Sequence, residues 1–191
     1  NCSMHVAVIC HGNGLLFLIA WEIMSVASFF LVSFEYEKPA VRQAGLSYLI
    51  AMHIGTAFLI LFFILLSSGT GSLDFDKIPM LPAAKANFLF LLAVVGFGTK
   101  AGFMPLHVWL PHAHPAAPSH VSAVMSGVMI KTGIYGLVRA ATLLGTPPAW
   151  WGWLLIVIGA VSGILGVLFA LAQHELKRLL AYHSVENIGI I

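Results

Sequence analysis

Charge is what this sequence has least of. Of its 191 residues only 8% are Asp, Glu, Lys or Arg, against about 25% in ordinary soluble domains. Nine Lys and Arg face seven Asp and Glu, for a formal charge of +2. That balance is too small to attract an acidic partner and excludes a nucleic-acid binder. Cysteine is nearly absent as well: Cys2 and Cys10 are the only two. They make no disulfide framework, and about two turns of helix between them is too far for a bridge. No cysteine cluster, dinucleotide fingerprint or haem-attachment motif occurs, so the chain is expected to carry no cofactor and no redox centre of its own. What fills the space is apolar: 60% of the residues are hydrophobic and the mean hydropathy is +0.97. A water-soluble fold of this size cannot hide so much apolar surface, which excludes a soluble enzyme and a disordered linker.

Charges, Gly and Pro divide the sequence into five apolar spans at about 13–34, 44–66, 86–110, 119–144 and 149–172. Each exceeds the roughly 20 residues that a helix needs to cross a hydrocarbon core of about 30 Å. Backbone groups in lipid must pair within their own segment, and the runs lack the alternating polarity of barrel strands. The expected fold is all-α: a polytopic transmembrane helix bundle forming a single domain over 1–191. Residues 3–10 are apolar but too short to cross, and a helical pattern from Glu175 still runs at Ile191. The chain therefore reads as a fragment of a larger subunit, cut at both ends. Trp150, Trp151 and Trp153 open the fifth span, where indoles mark a membrane surface or pack between helices. Lys38, Arg42, Lys177 and Arg178 fall on one side, Lys77, Lys85 and Arg139 on the other. The positive-inside rule puts the first group in the cytoplasm, in a multi-pass protein of the cell's inner (plasma) membrane.

Three ionisable residues lie near the middle of apolar spans: Glu22, Lys100 and Lys131. A lone charge at a bilayer centre costs at least about 2.5–3.5 kcal/mol, so such residues usually face a bundle interior or a wet cavity. Lys131 is more than a side-chain length from either interface and cannot snorkel out. One reading is a proton or ion path; the other is a static salt bridge that locks helices together. Lysine suits a path because, unlike arginine, it can give up its proton when buried. Gly96, Gly98 and Gly102 surround Lys100 and Pro105 follows, which points to a broken helix at an ion site or to close helix packing.

Histidines are the second feature. His107, His112, His114 and His120 share a stretch with Pro105, Pro111, Pro115 and Pro118. Metal sites on helices favour spacings of three or four residues, and no cysteine is near. A solvated re-entrant turn with a proton-relay histidine such as His107 is the better expectation, with no metal. His53 sits mid-span as a relay or a core hydrogen-bonding group. His183 and Glu186, in the last partial span, continue a polar path or make an interhelical hydrogen bond.

The stretch Phe97-Gly-Thr-Lys-Ala-Gly-Phe-Met-Pro-Leu-His-Val-Trp-Leu-Pro-His-Ala-His, continuing through Ser126-Gly-Val-Met-Ile-Lys-Thr-Gly-Ile-Tyr-Gly to Arg139, resembles the signature of the antiporter-like membrane subunits. These occur in respiratory complex I, membrane-bound hydrogenases and multisubunit Na+/H+ antiporters. Trp21-Glu22 is similar to that family's glutamate-bearing helix, and 176–189 to a later helix motif. The closest likeness is to the hydrogenase-4 and formate hydrogenlyase branch. The resemblance implies a proton-translocating subunit of a redox-driven complex, or of a Na+/H+ antiporter, or a membrane anchor that moves no ions. It implies other membrane subunits of a complex I-like or hydrogenase assembly as partners, within the lipid bilayer, with protons or Na+ as cargo. Glu22 would pair with Lys100 under the influence of a neighbouring subunit, and Lys131 would pass protons onward. These belong to one half of an inverted repeat. His183 stands where many relatives carry a small hydroxyl residue, and Glu186 is an additional carboxylate.

Overall fold

A computed structural model describes residues 12–68, 71–77 and 81–191. Cys2, Cys10 and the short apolar segment 3–10 lie outside the described residues. Among the described residues the α-helices are, in order, α1 (Gly14–Val32), α2 (Pro39–Ser67), α3 (Ala83–Ala101), α4 (Leu110–Ala116), α5 (Ser119–Val124), α6 (Ile130–Leu143), α7 (Ala149–Leu171) and α8 (Leu176–Ile190). A π-helical turn, Met125–Met129, joins α5 to α6 into one rod. Among the described residues there is no strand, only an isolated bridge between Asn13 and Asp74. Among the described residues, five segments are long and apolar enough to cross a membrane: Gly14–Val32, Pro39–Ser67, Ala83–Ala101, Ser119–Leu143 and Ala149–Leu171. The fold is an all-α polytopic bundle.

The ends of these helices have local causes. Asn13 caps α1 by accepting from the Leu15 amide at 2.9 Å, while its own amide donates to Asp74 Oδ1 at 2.6 Å. Proline at the first position starts α2, where its fixed φ suits the helix and no N–H is lost. The third span is shorter than its apolar run. It stops at Ala101 because Gly102 turns left-handed at φ 74° and its amide donates to Gly98. A side chain there would be strained. The helix resumes only as the seven-residue α4, so the break follows Lys100 directly.

The break is held from several sides. Trp109 Nε1 donates to the Thr99 carbonyl at 2.8 Å, satisfying one orphan acceptor of the last turn of α3. The Met104 amide donates to Ser162 Oγ on α7 at 2.9 Å. Lys177 at the start of α8 donates to the carbonyls of Ala117, at 2.9 Å, and Pro115, at 3.4 Å. The α4 segment is thus packed, with Trp109, Leu110, Ala113 and His114 buried, rather than a solvated turn. Pro111 falls at the helix start, where it is tolerated, and Pro115 lies in the last turn of this short helix.

An aromatic core joins α1, α2 and α3: Trp21 meets Phe97 edge-on at 5.4 Å and stacks on Phe17 at 5.5 Å. Trp151 belongs to packing rather than to a membrane surface. It stacks on Phe90 with ring centroids 4.1 Å apart and donates to Asn87 Oδ1 at 2.9 Å. Trp150 and Trp153 remain exposed. Lys38, Lys177 and Arg178 line one cavity, of about 610 Å³, whereas Lys85 donates to Ser68 and Arg139 lies over the Phe75 ring.

Candidate functional site

Lys100 occupies the last turn of α3, where a cation meets the negative end of the helix dipole. It is only 1% exposed. Its Nζ donates to Ser25 Oγ at 2.7 Å and sits 5.3 Å from the centroid of the Trp21 ring and 6.0 Å from that of Tyr48. Ser25 Oγ donates in turn to the Trp21 carbonyl at 2.9 Å. The Tyr48 hydroxyl donates to the Ser25 carbonyl at 3.3 Å and also contacts Met129 Sδ at 3.5 Å. An ammonium has three N–H donors; one finds an oxygen and two ring faces attract the rest of the charge. A desolvated cation–π contact is worth about 2 kcal/mol, on the scale of the cost of a charge in the bilayer.

Glu22 lies one turn before Ser25 on α1. The two make no direct ion pair. Glu22 Oε1 is buried without a hydrogen-bond partner, while Oε2 lies 3.7 Å from His53 Nε2 on α2. The Glu22 side chain is 30% exposed and that of His53 is 55% exposed. His53 is therefore on the outer face of α2, not in the core.

Lys131 departs from the expectation of enclosure: it is exposed. The cause is the neighbouring glycine. A Cβ on Gly133 would lie 2.7 Å from the Ala101 amide nitrogen and 2.8 Å from the Phe97 carbonyl oxygen. α6 must lay that face against α3, and two residues round a helix from it is the opposite side. Lys100 and Lys131 thus sit on touching helices without facing each other.

The remaining polar residues form separate groups. His114 is buried and its Nδ1 is 2.6 Å from Ser122 Oγ, while its Nε2 has no partner. His107 is half-buried, its ring 6.5 Å from that of Tyr182. His183 Nδ1 and Glu186 Oε2 are 2.5 Å apart, one helical turn along α8. Ser184 beside them shares a hydrogen bond with Ser126 at 2.8 Å. Among the described residues no group of three His, Cys, Asp or Glu is placed to hold a metal.

Sequence reasoning missed Ser25 and Tyr48, which with Trp21 make the whole nest of Lys100. A faint signal existed. Trp21, Ser25 and Ser28 recur at helical spacing on the buried stripe of α1, as expected of a face turned toward a polar group. The resulting site is a buried ammonium at a helix break, weakly held, with a carboxylate one turn away that also reaches an outer imidazole. Such an arrangement can move a proton by small side-chain motions.

Known proteins share this chain's pattern. A family model described as NADH:quinone oxidoreductase/Mrp antiporter, transmembrane, matches residues 12–191. Hydrogenase-4 component B of Escherichia coli is 48% identical over 191 residues, covering 97% of this chain and 28% of that protein. Formate hydrogenlyase subunit 3 of the same organism is 38% identical over 189 residues, covering 97% of this chain and 29% of its own length. Among solved structures, the Mrp complex from Dietzia sp. DQ12-45-1b superposes with a TM-score of 0.87 at 29% identity. That match covers 96% of this chain and 21% of the other. The chain spans less than a third of the length of these curated relatives.

Proposed function

We infer the function from one premise: the chain belongs to the NADH:quinone oxidoreductase/Mrp antiporter transmembrane family. We propose that it is a single transmembrane unit, 1–191, of a subunit that translocates protons in a redox-driven complex of the hydrogenase-4, formate hydrogenlyase or NADH–quinone oxidoreductase type. Its site is the plasma membrane, and its partners are other membrane subunits of that complex. One observation carries the reading: a lysine buried at the break of a membrane helix, bonded to Ser25 at 2.7 Å, with Glu22 one turn before Ser25 on α1. A buried ionisable group at such a break is the hallmark of an ion pathway.

In this reading Lys100 takes up and releases the proton, and Glu22 sets how strongly the ammonium is held. Lys131 carries the proton on toward an element outside this chain, in keeping with its exposed position midway along a spanning helix. His107, His183 and Glu186 serve as outer relays. Moving a charge against 100 mV costs about 2.3 kcal/mol, which electron transfer in partner subunits supplies.

The test uses the intact complex in proteoliposomes. Lys100→Met or Glu22→Gln is expected to abolish redox-linked proton uptake while the complex still assembles. Undiminished pumping in both variants overturns the proposal. The likeness to an Mrp complex favours a second reading, sodium/proton exchange without a redox partner. Sodium-dependent proton flux in vesicles lacking an electron donor would decide for it.

A further inference from the structure

The outer pairing of Glu22 poses a problem of proton bookkeeping. His53 Nδ1 lies 2.9 Å from the Leu49 carbonyl oxygen on its own helix. A carbonyl only accepts, so Nδ1 carries a proton. In a neutral imidazole Nε2 then bears a lone pair, and Glu22 Oε2 lies 3.7 Å from it. The contact is an ion pair only when Nε2 also carries a proton. With one extra proton the contact becomes attractive in either form, imidazolium with carboxylate or imidazole with carboxylic acid.

The setting argues for the same point. His53 stands about 21 Å along α2 from its start, between exposed Ile50 and Ile54, where a polar partner offsets the cost of placing an imidazole in an apolar layer. Glu22 of α1 is the ionisable group placed against it. Lys100 of α3 is held by Ser25. His114 of α4 is engaged by Ser122, and His112 lines the cavity beside Lys38.

We propose that His53 and Glu22 share one transferable proton, and that this proton decides whether the Glu22 charge is available to Lys100. The step is a simple exchange. Nε2–H of the imidazolium gives its proton to Oε2, leaving a neutral imidazole still bonded through Nδ1–H to Leu49 and a neutral carboxylic acid on Glu22. Lys100 then faces no negative charge. The reverse transfer restores the carboxylate. The buried Oε1, which has no partner of its own, and Oε2, which lies toward His53, give one carboxylate an inner and an outer side. This inference rests on the proton-translocating role proposed above.

The experiment compares His53→Gln, Lys100→Met and wild type in the reconstituted intact complex. Gln can donate one hydrogen bond to Glu22 but cannot carry the extra proton. His53→Gln is expected to assemble, to lower proton uptake on the order of a hundredfold, and to flatten the rate profile between about pH 5 and 8. Wild-type uptake and pH profile in His53→Gln, with Lys100→Met inactive, overturn the shared proton and leave the proposed function intact. An active Lys100→Met variant overturns both. If His53→Gln fails to assemble, ¹⁵N NMR of labelled histidine in the wild-type complex replaces it. The His53 Nε2 signal is expected to shift in Glu22→Gln, while Nδ1 stays protonated. An Nε2 signal indifferent to Glu22→Gln overturns the inference.

Discussion

Gly133 is the position where a single methyl group should be felt furthest. Its added Cβ would stand 2.7 Å from the Ala101 nitrogen and 2.8 Å from the Phe97 oxygen, whereas ordinary contact begins near 3.4 Å. Both neighbours are backbone in the last turns of α3, so no flexible tip can yield. The helices must part by roughly 0.6–0.7 Å, in an interior with no slack. Overpacking of this kind costs about 1–3 kcal/mol, a factor of about 5 to 150 in the folded population. The strain falls on the turn that carries Lys100, so Gly133→Ala should also slow proton uptake. Gly127, on the same rod, has nothing within 4 Å of its added Cβ. Gly127→Ala should therefore change stability by no more than about 0.5 kcal/mol. Unfolding by a denaturing detergent, followed in parallel with uptake in proteoliposomes, measures both. Equal effects of the two substitutions would refute the claim that α6 lies directly on α3.

Two further changes probe the supports of the break and the bundle. Trp151→Phe keeps the stack on Phe90 but removes the donor to Asn87, costing about 1–3 kcal/mol for the orphaned amide. A double-mutant cycle with Asn87→Ala should give a coupling of about 0.5–1.5 kcal/mol, and zero coupling would discard the bond. Lys177→Met strips the ammonium from the Pro115 and Ala117 carbonyls, a loss of about 1.5–3 kcal/mol. Hydrogen exchange at the Ala113 and Ala117 amides should quicken by at least about tenfold; unchanged exchange would mean that the contact does not hold α4.

The spanning helices were legible because hydropathy and length decide them almost alone. Their ends were less so. Leu106 and Val108–Leu110 prolong the apolar run of the third span, but Gly102 and Pro105 end the helix earlier, and apolarity says nothing about backbone direction. α2 starts at Pro39, ahead of the apolar run, because the polar Arg42 and Gln43 hide a turn of helix. Glu22 and Lys100 were legible as misplaced charges. Ser25 and Tyr48 were hardly so, since single neutral polar side chains leave only a faint mark on hydropathy. The facing of Lys131 and His53 depends on helix rotation. Small residues such as Gly133 fix that rotation through contacts with distant backbone, which a single-sequence pattern does not record.

Ser162 and Lys177 belong to successive helices, α7 and α8, yet they grip opposite ends of the loop that interrupts the third crossing. The α7–α8 hairpin therefore works as a clamp around the broken segment rather than as a bystander beside it. A sideways displacement of that hairpin cannot leave Met104 and Ala117 where they were. It pulls on both ends at once, and through Gly102 it tugs the turn from which the buried ammonium hangs.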